Sequence, residues 1–427
     1  MRTTFNKTLG VVGAALLSSA IVAPAMAQNA EPRDRIGGDP RDTIFALEQR
    51  VNEMENRGGV EVASGTTLQF GGYAKVDFIY DFEKALGFST SGSFPVNGPD
   101  DGGFFVQTRQ SRFNVKSTTQ TDTGPVTALI EFDFFNGAGN ELISNSNRAR
   151  MRLAYGTWNG IMAGQNWGLF MPIAFGAPQT NFSGPAGTVF LRHPQIRYTF
   201  PTMETASGSF TFATSLESSE NAARTIDGNG NPIGPAGGLV APSLGLSEQK
   251  TDQLPDFVAA VDWTNGVQRA KVAGMLTELN SPIGSDSEIG YGISLAFATP
   301  LWAGSDLRGT FNYGDGIGRY ISLGVGNAGV IHPTGDLETI ESWGGNLSLS
   351  QSLTDTVSVA VAGGHYKVED TFAPTDTEQT NTATITLFYN PNSKVTFATQ
   401  FIWARNELAN GQSDKASRWQ SSVQFKF

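Results

Sequence analysis

Leu68-Gln69-Phe70-Gly71-Gly72-Tyr73-Ala74-Lys75-Val76-Asp77-Phe78-Ile79-Tyr80-Asp81-Phe82 carries the rhythm that decides the fold. Leu68, Phe70, Ala74, Val76, Phe78, Tyr80 and Phe82 alternate with Gln69, Tyr73, Lys75, Asp77 and Asp81. A period of two puts the apolar set on one face of an extended strand and the polar set on the other. The rhythm recurs in Val126, Ala128, Ile130, Phe132 and Phe134, in Ile289, Tyr291, Ile293, Leu295 and Phe297, and in Val395, Phe397, Phe401 and Trp403. Runs of roughly ten residues or more with charge on the polar face suit tilted strands that cross a membrane.

Working outward from this stretch, the segments are 68–82, 104–119, 124–135, 147–158, 160–168, 194–200, 207–217, 255–264, 267–279, 288–299, 304–315, 339–351, 355–368, 380–391, 393–405 and 415–427. Tight turns at Thr121-Asp122-Thr123-Gly124, Asn159-Gly160, Thr264-Asn265-Gly266 and Asn390-Pro391-Asn392 alternate with long Gly-rich loops at 83–103, 169–193, 218–254 and 316–338. The expected fold class is all-β: a transmembrane antiparallel barrel of about sixteen strands over 67–427, closed because lipid tolerates no unpaired edge. Its apolar surface sits on alternate residues, which agrees with a hydrophobic content of only 39% alongside 50 glycines, 29 phenylalanines and 7 tryptophans. The chain ends Trp419-Gln420-Ser421-Ser422-Val423-Gln424-Phe425-Lys426-Phe427, and a terminal Phe427 on such a strand resembles the signal read by the outer-membrane insertion machinery.

The N-terminus reads differently. A basic start at Arg2 and Lys7, an apolar run from Leu9 to Ala23 and Ala25-Met26-Ala27 predict a signal peptide over 1–27, cleaved after Ala27. Loss of Arg2 and Lys7 takes 29 basic residues to 27 against 40 acidic ones, a net charge of −13, which excludes a nucleic-acid binder with a basic surface. No cysteine is present and no later run of eighteen apolar residues exists. Thiolate chemistry, disulfides and a transmembrane helix are therefore excluded. Residues 28–66 predict a linker with a short helix at about 40–57, N-capped by Asp39 before Pro40 and stopped by Gly58-Gly59. Ile44, Leu47, Val51 and Met54 follow the a/d spacing of a coiled coil, and a lone amphipathic helix is the alternative.

In Asn147-Arg148-Ala149-Arg150-Met151-Arg152-Leu153-Ala154-Tyr155, strict alternation sets Met151, Leu153 and Tyr155 against Arg148, Arg150 and Arg152. An arginine facing lipid costs roughly 2–4 kcal/mol, so the arginine face is expected inside. Arg112, Lys116, Arg197, Arg269, Lys271, Arg308 and Arg418 share that parity on other strands, whereas Arg109 falls on the Phe113 side. Glu131 and Asp133 are the expected counter-charges. Guanidinium groups lining a narrow pore lower the barrier for small anions. The alternative is that they pair with Glu131, Asp133, Asp262 and Asp306 and only stiffen the wall.

Neither cofactor nor metal site is expected. His193, His332 and His365 are the only histidines, and Ser358, seven residues from His365, lies on the opposite strand face about 23 Å away. No Gly-x-Ser-x-Gly or His-x-x-x-His occurs, so an enzyme is not expected. A structural or adhesive barrel would instead rely on the loops at 83–103, 218–254 and 316–338 and would have a plugged lumen.

Phe70-Gly71-Gly72-Tyr73-Ala74-Lys75-Val76-Asp77, Arg109-Gln110-Ser111-Arg112-Phe113, Gly156-Thr157-Trp158-Asn159-Gly160 and Gly164-Gln165-Asn166-Trp167 resemble the DcaP-like porins of Gram-negative bacteria. The resemblance is strongest over the N-terminal coil and the first third of the barrel. It implies a homotrimer of sixteen-stranded barrels among outer-membrane lipids, with a periplasmic coiled coil. It also implies a preference for small anionic solutes, dicarboxylic acids among them. In sixteen-stranded porins the loop corresponding to 169–193 folds inward, and its apolar residues suit packing on a wall. Arg192 and His193 then lie either near the constriction or on an ordinary surface.

Overall fold

The computed structural model describes residues 59–63, 65–86, 94–136, 144–219, 223–228, 253–321 and 326–427. The expected signal peptide and the helix carrying Ile44, Leu47, Val51 and Met54 lie outside the described residues. One antiparallel sheet of 19 strands closes on itself. Two of its staves are split, Phe104–Gln107 with Arg112–Thr119 and Arg192–Thr199 with Met203–Thr205, and the short Val60–Ala63 strand only pairs with the start of Thr66–Asp81. The barrel thus has sixteen staves, each coinciding with an expected segment. Closure comes from Thr66–Asp81 against Ser413–Lys426, with Tyr73 opposite Lys426 and Asp81 opposite Arg418, so neither edge is left unpaired.

Burial is inverted relative to a water-soluble domain. Along Ser287–Thr299 the outward Ile289, Tyr291, Ile293, Leu295 and Phe297 are exposed, while Gly290, Gly292, Ser294, Ala296 and Ala298 are buried inside. The first stave behaves alike, with Phe70 and Phe78 exposed and Lys75, Asp77 and Asp81 buried. An exposed band of this kind is unfavourable in water and suits hydrocarbon. Aromatic residues (Trp158, Tyr198, Phe200, Tyr389, Phe425 and Phe427) cluster at the short-turn end, with the Tyr198 and Phe200 ring centroids 4.8 Å apart. At that end Asn159 and Gly160 adopt φ of 47° and 82°, the left-handed pair that a two-residue hairpin demands.

The strand containing the arginine run departs from strict alternation. Leu153 lies opposite Glu131 and Met151 opposite Phe132, so Arg152 is an inserted bulge residue. Gln165 steadies it by donating from Nε2 to the carbonyls of Met151 and Arg152 at 3.3 and 3.1 Å. Met151 remains outward, but Leu153 and Tyr155, opposite Glu131 and Leu129, turn to the lumen together with Arg150 and Arg152. The expected single face of Met151, Leu153 and Tyr155 is therefore corrected: the bulge changes the parity halfway along the strand. Arg109 likewise falls in the break between Gln107 and Arg112, where parity resets and its carbonyl accepts the Phe134 N–H at 3.0 Å.

The lumen is not uniformly polar. Ala213, Val258, Ala260, Ala273 and Met275 point inward and form one buried cluster with Leu169, Phe170, Met171, Ile317, Tyr320 and Ile321. This apolar patch receives segments from two connections that fold into the barrel. Over the mouth, a small sheet of Ala223–Thr225, Gly329–Ile331 and Leu337–Thr339 closes on Leu279, Ala328, Ile331 and Leu337.

Candidate functional site in the barrel lumen

The connection between Ile161–Trp167 and Arg192–Thr199 crosses the lumen. Its backbone is tied to widely separated staves: Lys75 Nζ donates to Thr180 O at 2.6 Å, Arg308 Nη1 to Gly176 O at 3.1 Å, and Asn312 Nδ2 to Gly187 O at 3.0 Å. Asn181 N donates to Gln400 Oε1 at 2.9 Å and Ala186 N to Thr382 Oγ1 at 2.8 Å. The loop lies this close because glycines pave the wall beneath it. A Cβ at Gly364 would sit 2.3 Å from Ala186 O, and one at Gly187, whose φ is +76°, 2.3 Å from Gly345 N.

A paired substitution tests this contact. Gly364→Val is expected to push the loop off the wall into the open lumen, lowering single-channel conductance and costing about 1–3 kcal/mol by overpacking. Gly363→Ala, outward-facing with Thr382 O 3.8 Å from its new Cβ, should change neither. Equal effects from both variants would refute the docking.

Facing the loop is a cluster of arginines, carboxylates and rings. Arg150 donates from Nε and Nη2 to the two oxygens of Asp133 at 2.9 and 2.7 Å. Arg152, buried, donates from Nε to Glu131 at 2.7 Å and from Nη1 to Asp133 at 2.9 Å. Arg112 Nη1 lies 3.9 Å from Glu131 and its guanidinium 5.4 Å from the Tyr73 ring. Aromatic rings hold these groups in place: Arg150 stands over Phe135 and Phe182, and Arg152 over Trp167 and Phe182, at 5.2–5.9 Å.

Arg192 completes the cluster. Its guanidinium stands 4.8 Å from the Trp167 ring and 5.9 Å from Phe190, at the point where the loop rejoins the wall. Among the described residues no carboxylate pairs with it, and its buried Nη1 has no hydrogen-bond partner. The four guanidinium groups of Arg112, Arg150, Arg152 and Arg192 thus stand beside only two carboxylates, Glu131 and Asp133, an excess of two positive charges. Sequence reasoning placed Arg192 at the loop end without distinguishing it from a surface residue. Only the loop's path shows that Trp167 and Phe190 enclose it.

The remaining expected residues divide. Lys116 faces inward, opposite Gln69 and Leu129. Arg197 also faces inward, donating from Nη2 to Trp167 O at 2.6 Å and to Gln195 Oε1 at 2.7 Å. Lys271 Nζ is 3.5 Å from Asp262, and Arg269 stands 5.8 Å from the Phe175 ring. Arg148 is exposed at its strand's start and takes no part in the Asp133 and Glu131 ion pairs. Arg308 and Arg418 are buried against Asp306 and Asp81, so for these two the wall-stiffening pairing holds.

No family model matches the chain, and no curated protein does. Solved structures do. The outer-membrane channel DcaP of Acinetobacter baumannii superposes with a TM-score of 0.71 at 18% identity, over 87% of this chain and 100% of that one. The fold is a porin fold. An anion-selective porin from Comamonas acidovorans has a TM-score of 0.55 at 11% identity, covering 85% of this chain and all of its own. OmpT, an outer-membrane protein of Vibrio cholerae, has a TM-score of 0.53 at 11% identity over 86% of this chain and 99% of that one.

Proposed function

We propose that the chain is an outer-membrane porin for passive diffusion of small hydrophilic anions, dicarboxylates among them, past an arginine-lined constriction. The observation that carries this reading is Arg192, a guanidinium without a counter-charge among the described residues, beside Arg112, Arg150 and Arg152. A positive site of this kind attracts an anion and repels a cation. At 5 Å in water one charge contributes about 0.8 kcal/mol, close to a fourfold change in the local concentration of a monovalent ion. Arginine's planar fork suits the paired oxygens of a carboxylate. Lys116, Arg197, Arg269 and Lys271 extend the basic lining, with Glu131 and Asp133 as counter-charges. In this reading the apolar outer band sits among outer-membrane lipids, Phe427 presents the insertion signal, and the functional unit is a homotrimer with the N-terminal segment in the periplasm. OmpT of Vibrio cholerae has been solved in a trimer form, and the trimer is carried over from the fold.

Reversal potentials of the purified protein in planar bilayers under a KCl gradient test the proposal. Wild type is expected to prefer chloride, and Arg192→Gln to lower the chloride-to-potassium permeability ratio several-fold while leaving assembly intact. A cation-preferring wild type would remove the anion claim and leave the pore.

A further inference from the structure

Beside the arginine cluster lies a second buried polar group that the permeation pathway does not use. His193, buried, contacts Glu217 through Nε2, and its Nδ1 lies 3.5 Å from Nη2 of Arg319. Glu217 is fully enclosed and accepts the Leu169 N–H and the Ser215 hydroxyl, both at 2.7 Å. Arg319 donates to Asp256 at 2.7 Å and to Ser218 O at 3.0 Å, and stacks on Tyr320. Tyr320, its hydroxyl pushed up by burial and so protonated, donates to Asp256. The charged and titratable groups around the imidazole are therefore Glu217 from Gly208–Glu217, Arg319 and Tyr320 from the turn at 316–321, and, behind those two, Asp256 from Asp256–Thr264. Arg192 and Arg197 lie on its own strand.

This group grips both ends of the loop that crosses the lumen. At the start, Glu217 holds Leu169. At the end, Tyr320 O accepts the Phe190 N–H at 3.2 Å and Ile321 bridges Val189. Phe170 packs edge-on against Tyr320 at 5.7 Å.

We propose that His193 is a proton-sensitive clasp that sets how firmly the lumen-crossing loop is held, making the pore's behaviour depend on pH. In this proposal the resting ring is neutral, with Nε2–H donating to Glu217 and the bare Nδ1 facing the Arg319 guanidinium at 3.5 Å. A proton added at Nδ1 leaves imidazolium and guanidinium face to face at that distance, two cations with no acceptor between them. The His193–Glu217 hydrogen bond becomes an ion pair while Arg319 is pushed away. Arg319 carries Tyr320 and Ile321 with it, and through them the Val189–Phe190 end of the loop loosens.

The test is single-channel recording in symmetric KCl at a series of pH values between about 5 and 8, a readout independent of ion selectivity. A non-selective pore would show the clasp equally. Wild type is expected to show open-channel noise rising at least twofold with a single sigmoidal midpoint as pH falls. His193→Gln, which keeps a donor for Glu217 and cannot titrate, should be flat. Arg319→Gln, which keeps donors for Asp256 and removes the cation to be repelled, should be flat as well. A wild type without a transition in this range, or either variant titrating with the wild-type midpoint, would overturn the proposal.

Discussion

Asp133→Ala is expected to make the protein less stable and more anion-selective at once. The Asp133 carboxylate is fully buried and satisfies Arg150 through two hydrogen bonds and Arg152 through a third. Its removal leaves Arg152, only 1% exposed, with Glu131 alone. Removing one partner of a buried ion pair costs about 3–5 kcal/mol, because the survivor stays desolvated and uncompensated. The half-exposed Arg150 recovers part of that by hydration, so the lower end of the range is expected. The same deletion raises the excess of positive charge beside the loop by one, and the chloride preference should increase. Denaturant unfolding of the purified protein and reversal potentials measure the two effects. A variant as stable as wild type, or one shifted towards potassium, would contradict the assigned geometry.

The second large effect lies on the outer wall. Ile293 is exposed on the lipid side, opposite Gly274 and Tyr313, while its neighbour Ser294 is buried on the lumen side. Ile293→Arg is expected to cost roughly 2–4 kcal/mol near the bilayer midplane. Ser294→Ala, one residue along, should cost less than about 1 kcal/mol, because Ser294 Oγ has no hydrogen-bond partner among the described residues. Refolding into vesicles across a urea series compares the two. Equal costs would mean that the faces are misassigned.

These predictions depend unequally on what the sequence discloses. The sixteen staves and the outward set of Phe70, Ile130, Ile293 and Phe297 are legible because a strand's two faces repeat every two residues. Lipid on one face and water on the other write that period directly into side-chain chemistry. Arg112, Arg150, Arg152 and Lys271 are placed inside by the same reasoning, and Glu131 and Asp133 are identified as counter-charges of the three arginines. Parity counting fails where a residue is inserted. The bulge at Arg152 turns Tyr155 inward without altering composition, because a bulge depends on how two strands register.

By itself the sequence determined the barrel, its closure and the inward parity of basic residues such as Arg112, Arg150 and Lys271, since these follow from local alternation repeated along the chain. Only the tertiary structure decided which cations are left over. Arg192 and Arg148 are the same residue type at comparable strand ends, yet one is enclosed by Trp167 and Phe190 and the other is exposed. The difference comes from a loop that docks on Val258, Ala260 and Met275, residues distant from it in sequence. Pairing of charges and docking of loops depend on contacts between remote segments, and alternation carries no record of them.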